Sequence, residues 1–215
     1  MEKEVFLNDL WSVYFHNPIS NDWNRSGYIK ISDISTVQEY WKIFSCISPN
    51  IHNGMWFFMR EHIFPSWDDP LNKDGSFLSC KVLKENVVDF SKNILIRILG
   101  ETMFTTDHAD KWDSINGMSF SPKKNFCIIK IWFKNQDIKD KTMFNLPDNY
   151  QGEVIFKVSH NHPMTNTPPM SAFSTSRRLY LQDKVYDPSR SNIAQPRRTF
   201  YDTRCKNTEC SASQK

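Results

Sequence analysis

Trp56-Phe57-Phe58-Met59-Arg60-Glu61-His62-Ile63-Phe64-Pro65-Ser66-Trp67-Asp68-Asp69-Pro70-Leu71-Asn72-Lys73-Asp74-Gly75 reads as an aromatic strand that runs into a Pro-anchored loop and closes on a glycine turn. The loop delivers one large flat side chain, Trp67, followed at once by two carboxylates, Asp68 and Asp69. Indole offers a broad π face and a carboxylate offers two acceptors, so the pair can stack on a purine and bind donors on its edge. Asp68 can equally cap a turn, a role that Asp69 and Asn72 are also able to fill.

Downstream of this stretch, Phe77 to Leu83 alternates as a strand, and Val87 to Leu99 reads as a helix stopped by Gly100 in the C′ position. A polar loop carrying Asp107, His108, Asp110 and Asp113 leads into a strand from Ile115 to Ser121 and the turn Pro122-Lys123-Lys124-Asn125. The longest strand candidate is Phe126 to Phe133. Period-2 geometry sends Cys127, Ile129, Ile131 and Phe133 to one face and Phe126, Ile128, Lys130 and Trp132 to the other. Lys130 and Trp132 can then reach one ligand, while Trp132 is equally able to serve a core. A short helix is expected from Asp137 to Leu146, a strand from Glu153 to Val158, and a last edge strand from Arg178 to Leu181.

Upstream, Leu10 to His16 and Gly27 to Ser32 read as strands. The turn-forming segment between them, Asn17 to Ser26, holds one aromatic residue, Trp23, in polar surroundings that argue against a core role. Ser35 and Gln38 form a capping-box pattern for a helix whose Val37, Tyr40, Trp41 and Phe44 share a face. Trp11, Trp41, Trp56 and Trp112 are assigned mainly to packing, with Trp41 partly exposed. Strands and helices follow one another without a βαβ rhythm, so the fold class is α+β.

The 215 residues suffice for one domain, expected over 1–181, and a tail over 182–215 rich in Pro, Ser, Asn and Arg, where disorder is expected. The tail holds seven basic residues and four acidic ones, which leaves 20 against 20 in the body. Attraction of the body for a polyanion must therefore come from local arrangement. The charged start Met1 to Phe6 has no secretory apolar region, and no run approaches the roughly 20 apolar residues that span a bilayer. An intracellular, cytoplasmic and monomeric protein is expected. Five cysteines without Cys-x-x-Cys spacing read as reduced thiols, and His160, His162, Cys205 and Cys210 fit no standard zinc spacing. No metal or cofactor is expected.

Taken in order, these features resemble the translation initiation factor 4E family, the proteins that bind the methylated guanosine cap of messenger RNA. The resemblance runs from about Leu10 to Leu181 and rests on Trp11-Ser12-Val13-Tyr14-Phe15, Trp23, Thr36 to Trp41, Ile63 to Asp69 with Asn72-Lys73, and Leu99-Gly100-Glu101. Gly117, Lys123, Ile129-Lys130-Ile131-Trp132 and Ser159-His160 complete it. It implies a strongly curved antiparallel sheet with about three helices on the convex face and a cap slot on the concave one. Trp23 and Trp67 would sandwich the base, Asp68 would take the guanine edge, and Trp132 would touch the N7 methyl. Basic residues near Lys123 would hold the phosphates, with Lys124 and Lys130 available beside it. On the convex face Val37, Trp41 and Ile96 would receive a helix from a scaffold or repressor protein.

The chemistry is sound without the family. N7-methylguanine is a delocalised cation, so each π face gains about 0.5–2 kcal/mol over neutral guanine. The guanine edge presents N1–H and N2–H₂, two donors for one carboxylate. Departures from the family are specific: Asp68 stands where Glu is usual, Ile128 where a phosphate-binding Lys is usual, Ser76 where Arg is usual, and Lys92 where Leu is usual. A non-catalytic cap binder that recruits messenger RNA for translation is thus the expected function. A competitor that holds caps without engaging the scaffold is the alternative, and metal-assisted hydrolysis through the Asp107 to Asp113 loop ranks last.

Overall fold

The computed structural model describes residues 3–159. Seven strands, β1 (Phe6–His16), β2 (Tyr28–Thr36), β3 (Met55–Arg60), β4 (Ser76–Leu83), β5 (Ile115–Pro122), β6 (Phe126–Phe133) and β7 (Val154–Val158), form one sheet. Their order is β2-β1-β3-β5-β6-β4-β7, and every pairing is antiparallel. Two α-helices, α1 (Val37–Ile47) and α2 (Val87–Leu99), and a 3₁₀ segment over Thr106–Ser114 that kinks at His108 are the longer helical parts of the curved α+β architecture, with shorter 3₁₀ turns between strands.

The aromatic run of β3 feeds both faces of this sheet. Phe58 joins the helix-side core, in which Val13, Leu78, Phe120, Ile129 and Ile131 meet Tyr40, Phe44 and Ile47 of α1 and Ile94, Leu95 and Ile98 of α2. Phe57 and Met59 point the other way and build a second, smaller cluster with Ile63 and Trp132, covered by Tyr14, Tyr28, Met55 and Trp67. Each such side chain contributes about 1.5–3 kcal/mol by leaving water, so the first cluster carries the stability and the second organises the opposite, concave face. Arg60 ends β3 with its fork engaged on all sides: Nε donates to the Ile115 carbonyl at 3.0 Å, Nη2 to the Trp112 carbonyl at 3.3 Å, and Nη1 pairs with Asp9. That fork ties the 3₁₀ segment to the sheet.

Several local expectations are corrected. The helix cap lies one residue later than Ser35 and Gln38. Thr36 Oγ1 accepts from Glu39 N at 3.1 Å, and Glu39 Oε2 accepts from the backbone N–H groups of Ser35 and Thr36. Glutamate wins because a charged carboxylate oxygen is a stronger acceptor than an amide, and here Oε2 alone takes three donors. Gly100 does not occupy the left-handed position after α2; Glu101 does, at φ 58. The bonds Thr102 N to Arg97 O at 2.8 Å and Glu101 N to Ile98 O at 3.2 Å close the helix there. Asp137 to Leu146 holds only a single 3₁₀ turn, Lys141–Met143, because Phe104 and Phe144 pair in a bridge that extends the chain. The polar loop with Asp107 forms 3₁₀ turns over Thr106–Ser114, broken at His108 by a non-helical φ of -127. The edge strand at Arg178, residue His160 and the tail lie outside the described residues. Among the described residues no helix is long and apolar enough to cross a membrane.

Candidate functional site

Two loops rise over the concave face, one carrying Trp23 and the other Trp67. The Trp67 loop leaves β3 through a left-handed residue, His62 at φ 68, and is held by a set of side-chain hydrogen bonds. Asp69, 8% exposed, accepts from the backbone N–H of Phe64 at 3.1 Å through Oδ2 and from that of Leu71 at 3.0 Å through Oδ1. Asn72 Nδ2 donates to the carbonyls of Phe64 and Ser66, both at 2.9 Å. From β5, Asn116 Nδ2 donates to the Leu71 carbonyl at 2.6 Å and to Asn72 Oδ1 at 3.0 Å. The turn-holding role that sequence left open among three residues thus falls to Asp69 and Asn72. Asp68 stays exposed, and its carboxylate takes part in no hydrogen bond among the described residues.

Trp67 lies half-buried over the sheet, stacked on Trp132 at 4.3 Å between centroids and 28° between planes, with Phe77 edge-on at 5.0 Å. Trp132 is 4% exposed and its Nε1 donates to Ser119 Oγ at 2.9 Å, so the strand tryptophan forms the floor under the loop tryptophan. Lys130, two residues before it on the same face, sets Nζ 4.8 Å from the Trp67 ring centre and 4.6 Å from that of Phe77. Burial first, and then the charges of Lys157 and Lys123, bring the Lys130 ammonium down to about 8.

Trp23 is held in the same manner by its own loop. It stacks on His16 at 4.2 Å and 11°, and Tyr28 meets it edge-on at 6.4 Å. His16 is fully buried at the end of β1, and its Nε2–H donates to the Asp22 carbonyl at 2.8 Å. Asp22 in turn accepts from Ser26 Oγ at 2.8 Å and from Asn24 N and Nδ2, both at 3.0 Å; these bonds, that of Ser26 foremost, keep its carboxyl below the usual range. Gly27 allows this tight turn, since a Cβ there would collide with the Asp22 carbonyl.

The structure therefore brings Trp67, Trp132 and Lys130 into one cluster and sets Trp23 in a second. No ring contact joins Trp23 to Trp67 among the described residues; each has one face backed by another ring. Phe64 bridges the two loops: the Arg25 guanidinium lies 4.4 Å over it, and Tyr28 and Tyr14 meet it at 5.0 and 5.7 Å. Burial, followed by the charges of Asp22 and Asp68, raises the Tyr28 phenol, so it stays neutral between the loops. Lys123 and Lys124 are exposed in the β5–β6 turn. His16, Phe64, Phe77 and Lys157 were missed by sequence reasoning. Lys157 pairs with Phe77 across β4 and β7, which puts a further ammonium on the Lys130 side of the sheet. Alternation within β7 gives its face, but only the strand order gives its neighbour.

On the helix side, Trp41 and Ile96 are each 42% exposed and Val37 is half-buried. The Tyr40 hydroxyl reaches the Lys92 carbonyl at 3.5 Å, which links α1 to α2, and Lys92 Nζ pairs with Asp89 at 2.9 Å. Of the acidic loop proposed for metal, Asp113 pairs with Lys134 at 2.6 Å and His108 Nδ1 meets Thr105 Oγ1 at 3.2 Å. No group of three metal-ligating side chains occurs among the described residues.

Comparison with known proteins gives the same direction. Residues 6–166 match the family model described as "Eukaryotic initiation factor 4E". The chain is 27% identical over 140 residues to eukaryotic translation initiation factor 4E-2 of Schizosaccharomyces pombe, covering 62% of this chain and 56% of that protein. It is also 27% identical over 140 residues to factor 4E-1 of Hordeum vulgare, covering 60% of each. The matched region thus spans 56% and 60% of those relatives' length. Among solved structures, Ascaris suum eIF4E-3 with an m2,2,7G cap superposes with a TM-score of 0.60 at 18% identity, over 76% of this chain and 96% of that one. Schistosome eIF4E complexed with m7GpppA and 4E-BP gives 0.55 at 22% identity, over 64% of this chain and 75% of that one. At such identity these two likenesses speak for the fold. The family-model match over most of the chain decides its membership: the chain belongs to the eukaryotic initiation factor 4E family.

Proposed function

We propose that this chain binds the N7-methylguanosine cap of messenger RNA and recruits it for translation, without catalysing a reaction on it. The base lies between Trp23 and Trp67, Asp68 accepts from the guanine N1–H and N2–H₂, and the methyl faces Trp132. Lys123, Lys124 and Lys130 take the phosphates, with Lys157 beside them. One observation carries this reading: Asp68 stands exposed next to Trp67 and its carboxylate makes no hydrogen bond among the described residues, while Asp69, Asn72 and Asn116 hold the loop. Two π contacts of about 1–3 kcal/mol each and one bidentate charged pair suffice for micromolar binding or better.

The relatives' names point the same way, since structures of this fold have been solved with cap analogues and with 4E-binding proteins. Val37, Trp41 and Ile96 would accordingly dock a helix of a scaffold or repressor on the convex face. The test is quenching of tryptophan fluorescence by N7-methyl-GTP against GTP. Equal quenching by the two, or none, refutes cap recognition. Trp67→Ala and Asp68→Asn should each weaken binding at least about tenfold, and Asp68→Asn should also erode preference for guanine over adenine.

Lys92 favours a second reading, a cap-holding competitor of translation. Its ammonium, tied to Asp89 at 2.9 Å, sits in the surface between α1 and α2 where an apolar helix would seat. Capture of a scaffold peptide that is lost in Trp41→Ala argues for recruitment; failure of any scaffold peptide to bind argues for the competitor.

A further inference from the structure

The concave face already holds a cation against its aromatic rings. Lys130 Nζ is 4.8 Å from the centre of Trp67 and 4.6 Å from that of Phe77, both within cation–π range. Its strand neighbours on β4 and β5 are Ser79 and Ser119, and the Ser119 hydroxyl already accepts from Trp132. Among the described residues the Lys130 ammonium makes no ion pair and no hydrogen bond; its contacts are with the rings. The charged groups on the surrounding elements are Lys81 on β4, Lys123 and Lys124 in the β5–β6 turn, Lys157 on β7 and Asp68 beside Trp67. All but Asp68 are cationic, and Lys81 is itself engaged over Phe126 at 4.7 Å.

We infer that Lys130 sets the ligand class of this slot by exchange: its ammonium holds the cation position on Trp67 and Phe77 and gives it up only to a ligand that brings both a cationic base and phosphates. This rests on the cap-binding reading above. A second cation brought to the Trp67 ring is repelled by the Lys130 ammonium already beside it, because like charges at such separations interact strongly in a partly buried site. A methylated nucleoside has a cation to place there and nothing to offer the displaced ammonium. A methylated nucleotide carrying two or three phosphates gives Lys130, Lys123 and Lys157 an anion in the same step. Lys130 is thereby a specificity residue for cationic purine polyphosphates over cationic nucleosides. Because burial holds its ammonium near 8, the discrimination weakens as pH rises above that value.

The experiment compares wild type with Lys130→Met and Lys130→Gln, reading tryptophan fluorescence with N7-methylguanosine and with N7-methyl-GTP. The variants should bind the nucleoside about three- to tenfold more tightly than wild type and the triphosphate at least about tenfold more weakly. Loss of affinity for both ligands by one factor, or an unchanged nucleoside affinity, overturns the exchange. In the protein alone, wild-type fluorescence should change through a transition near pH 8 that both variants lack; a flat wild-type trace removes Lys130 from the ring whatever binds. Wild type that binds neither ligand refutes the cap reading and the exchange with it. Wild type that binds both, with variants that do not move them in opposite directions, refutes the exchange alone.

Discussion

Replacing Asp69 by alanine should destabilise the domain and loosen the loop that carries Trp67, whereas replacing the adjacent Asp68 should leave the fold intact. Asp69 gives one carboxylate oxygen to each of two backbone donors, Phe64 N–H and Leu71 N–H, and is 8% exposed. A hydrogen bond to a charged group contributes about 1.5–3 kcal/mol, and these are only part-buried, so the low end of the range applies and the pair sums to about 3 kcal/mol. For a domain of this size that corresponds to a fall in Tm of roughly 6–12 °C. Asp68→Ala removes an exposed carboxylate without a hydrogen bond and should stay within about 0.5 kcal/mol of wild type. Thermal and urea unfolding, followed by circular dichroism, give the two values, and titration with N7-methyl-GTP gives the second readout. Asp68→Ala should lose most of its affinity at unchanged stability, and Asp69→Ala should lose both. A stability difference between the two variants of under about 0.5 kcal/mol would refute the division of labour between the two acids.

Trp132→Phe leaves the Ser119 hydroxyl, 4% exposed, without its 2.9 Å partner and opens a gap under Trp67; a loss of about 1–3 kcal/mol in urea unfolding is expected. Gly75→Ala puts a Cβ into the carbonyl oxygen of Phe133, backbone that cannot swing aside, and should cost about 2–3 kcal/mol, read as a shift of the urea midpoint. Burial pushes the Cys80 and Cys127 thiols up to about 12 from 9.0, while Cys46 is exposed. Alkylation at pH 8 followed by peptide mass analysis should therefore label Cys46 quickly and the other two only on unfolding. The same shifts mean that the folded state keeps protons which the unfolded chain loses. Their stabilisation is complete below pH 9 and falls between 9 and about 12, by about 1.4 kcal/mol per pH unit for each thiol. Unfolding curves at pH 8, 9.5 and 10.5 check the sign.

Sequence alone determined the strands, both α-helices and the α+β class, because period-2 and 3.6 patterns record which side of each element leaves water. It also determined which side chains are too large and too oddly placed for a loop, Trp23 and Trp67, and that an acid follows the second. Local competition it could not resolve: Thr36 with Glu39 and Ser35 with Gln38 are equally legible as caps, and Asp68, Asp69 and Asn72 are equally legible as turn holders. Those contests are settled by which donor a folded backbone presents. Only the tertiary structure decided what stands behind each tryptophan, because His16 under Trp23 and Trp132 under Trp67 come from strands whose spacing in the chain says nothing of their spacing across the sheet. The order β2-β1-β3-β5-β6-β4-β7 is what sets Lys157 across from Phe77 and lays Lys130 against the same rings. Charge composition gives the body no net sign, yet pairing of distant strands brings Lys130 against Trp67 and Phe77 and sets Lys157 across from Phe77.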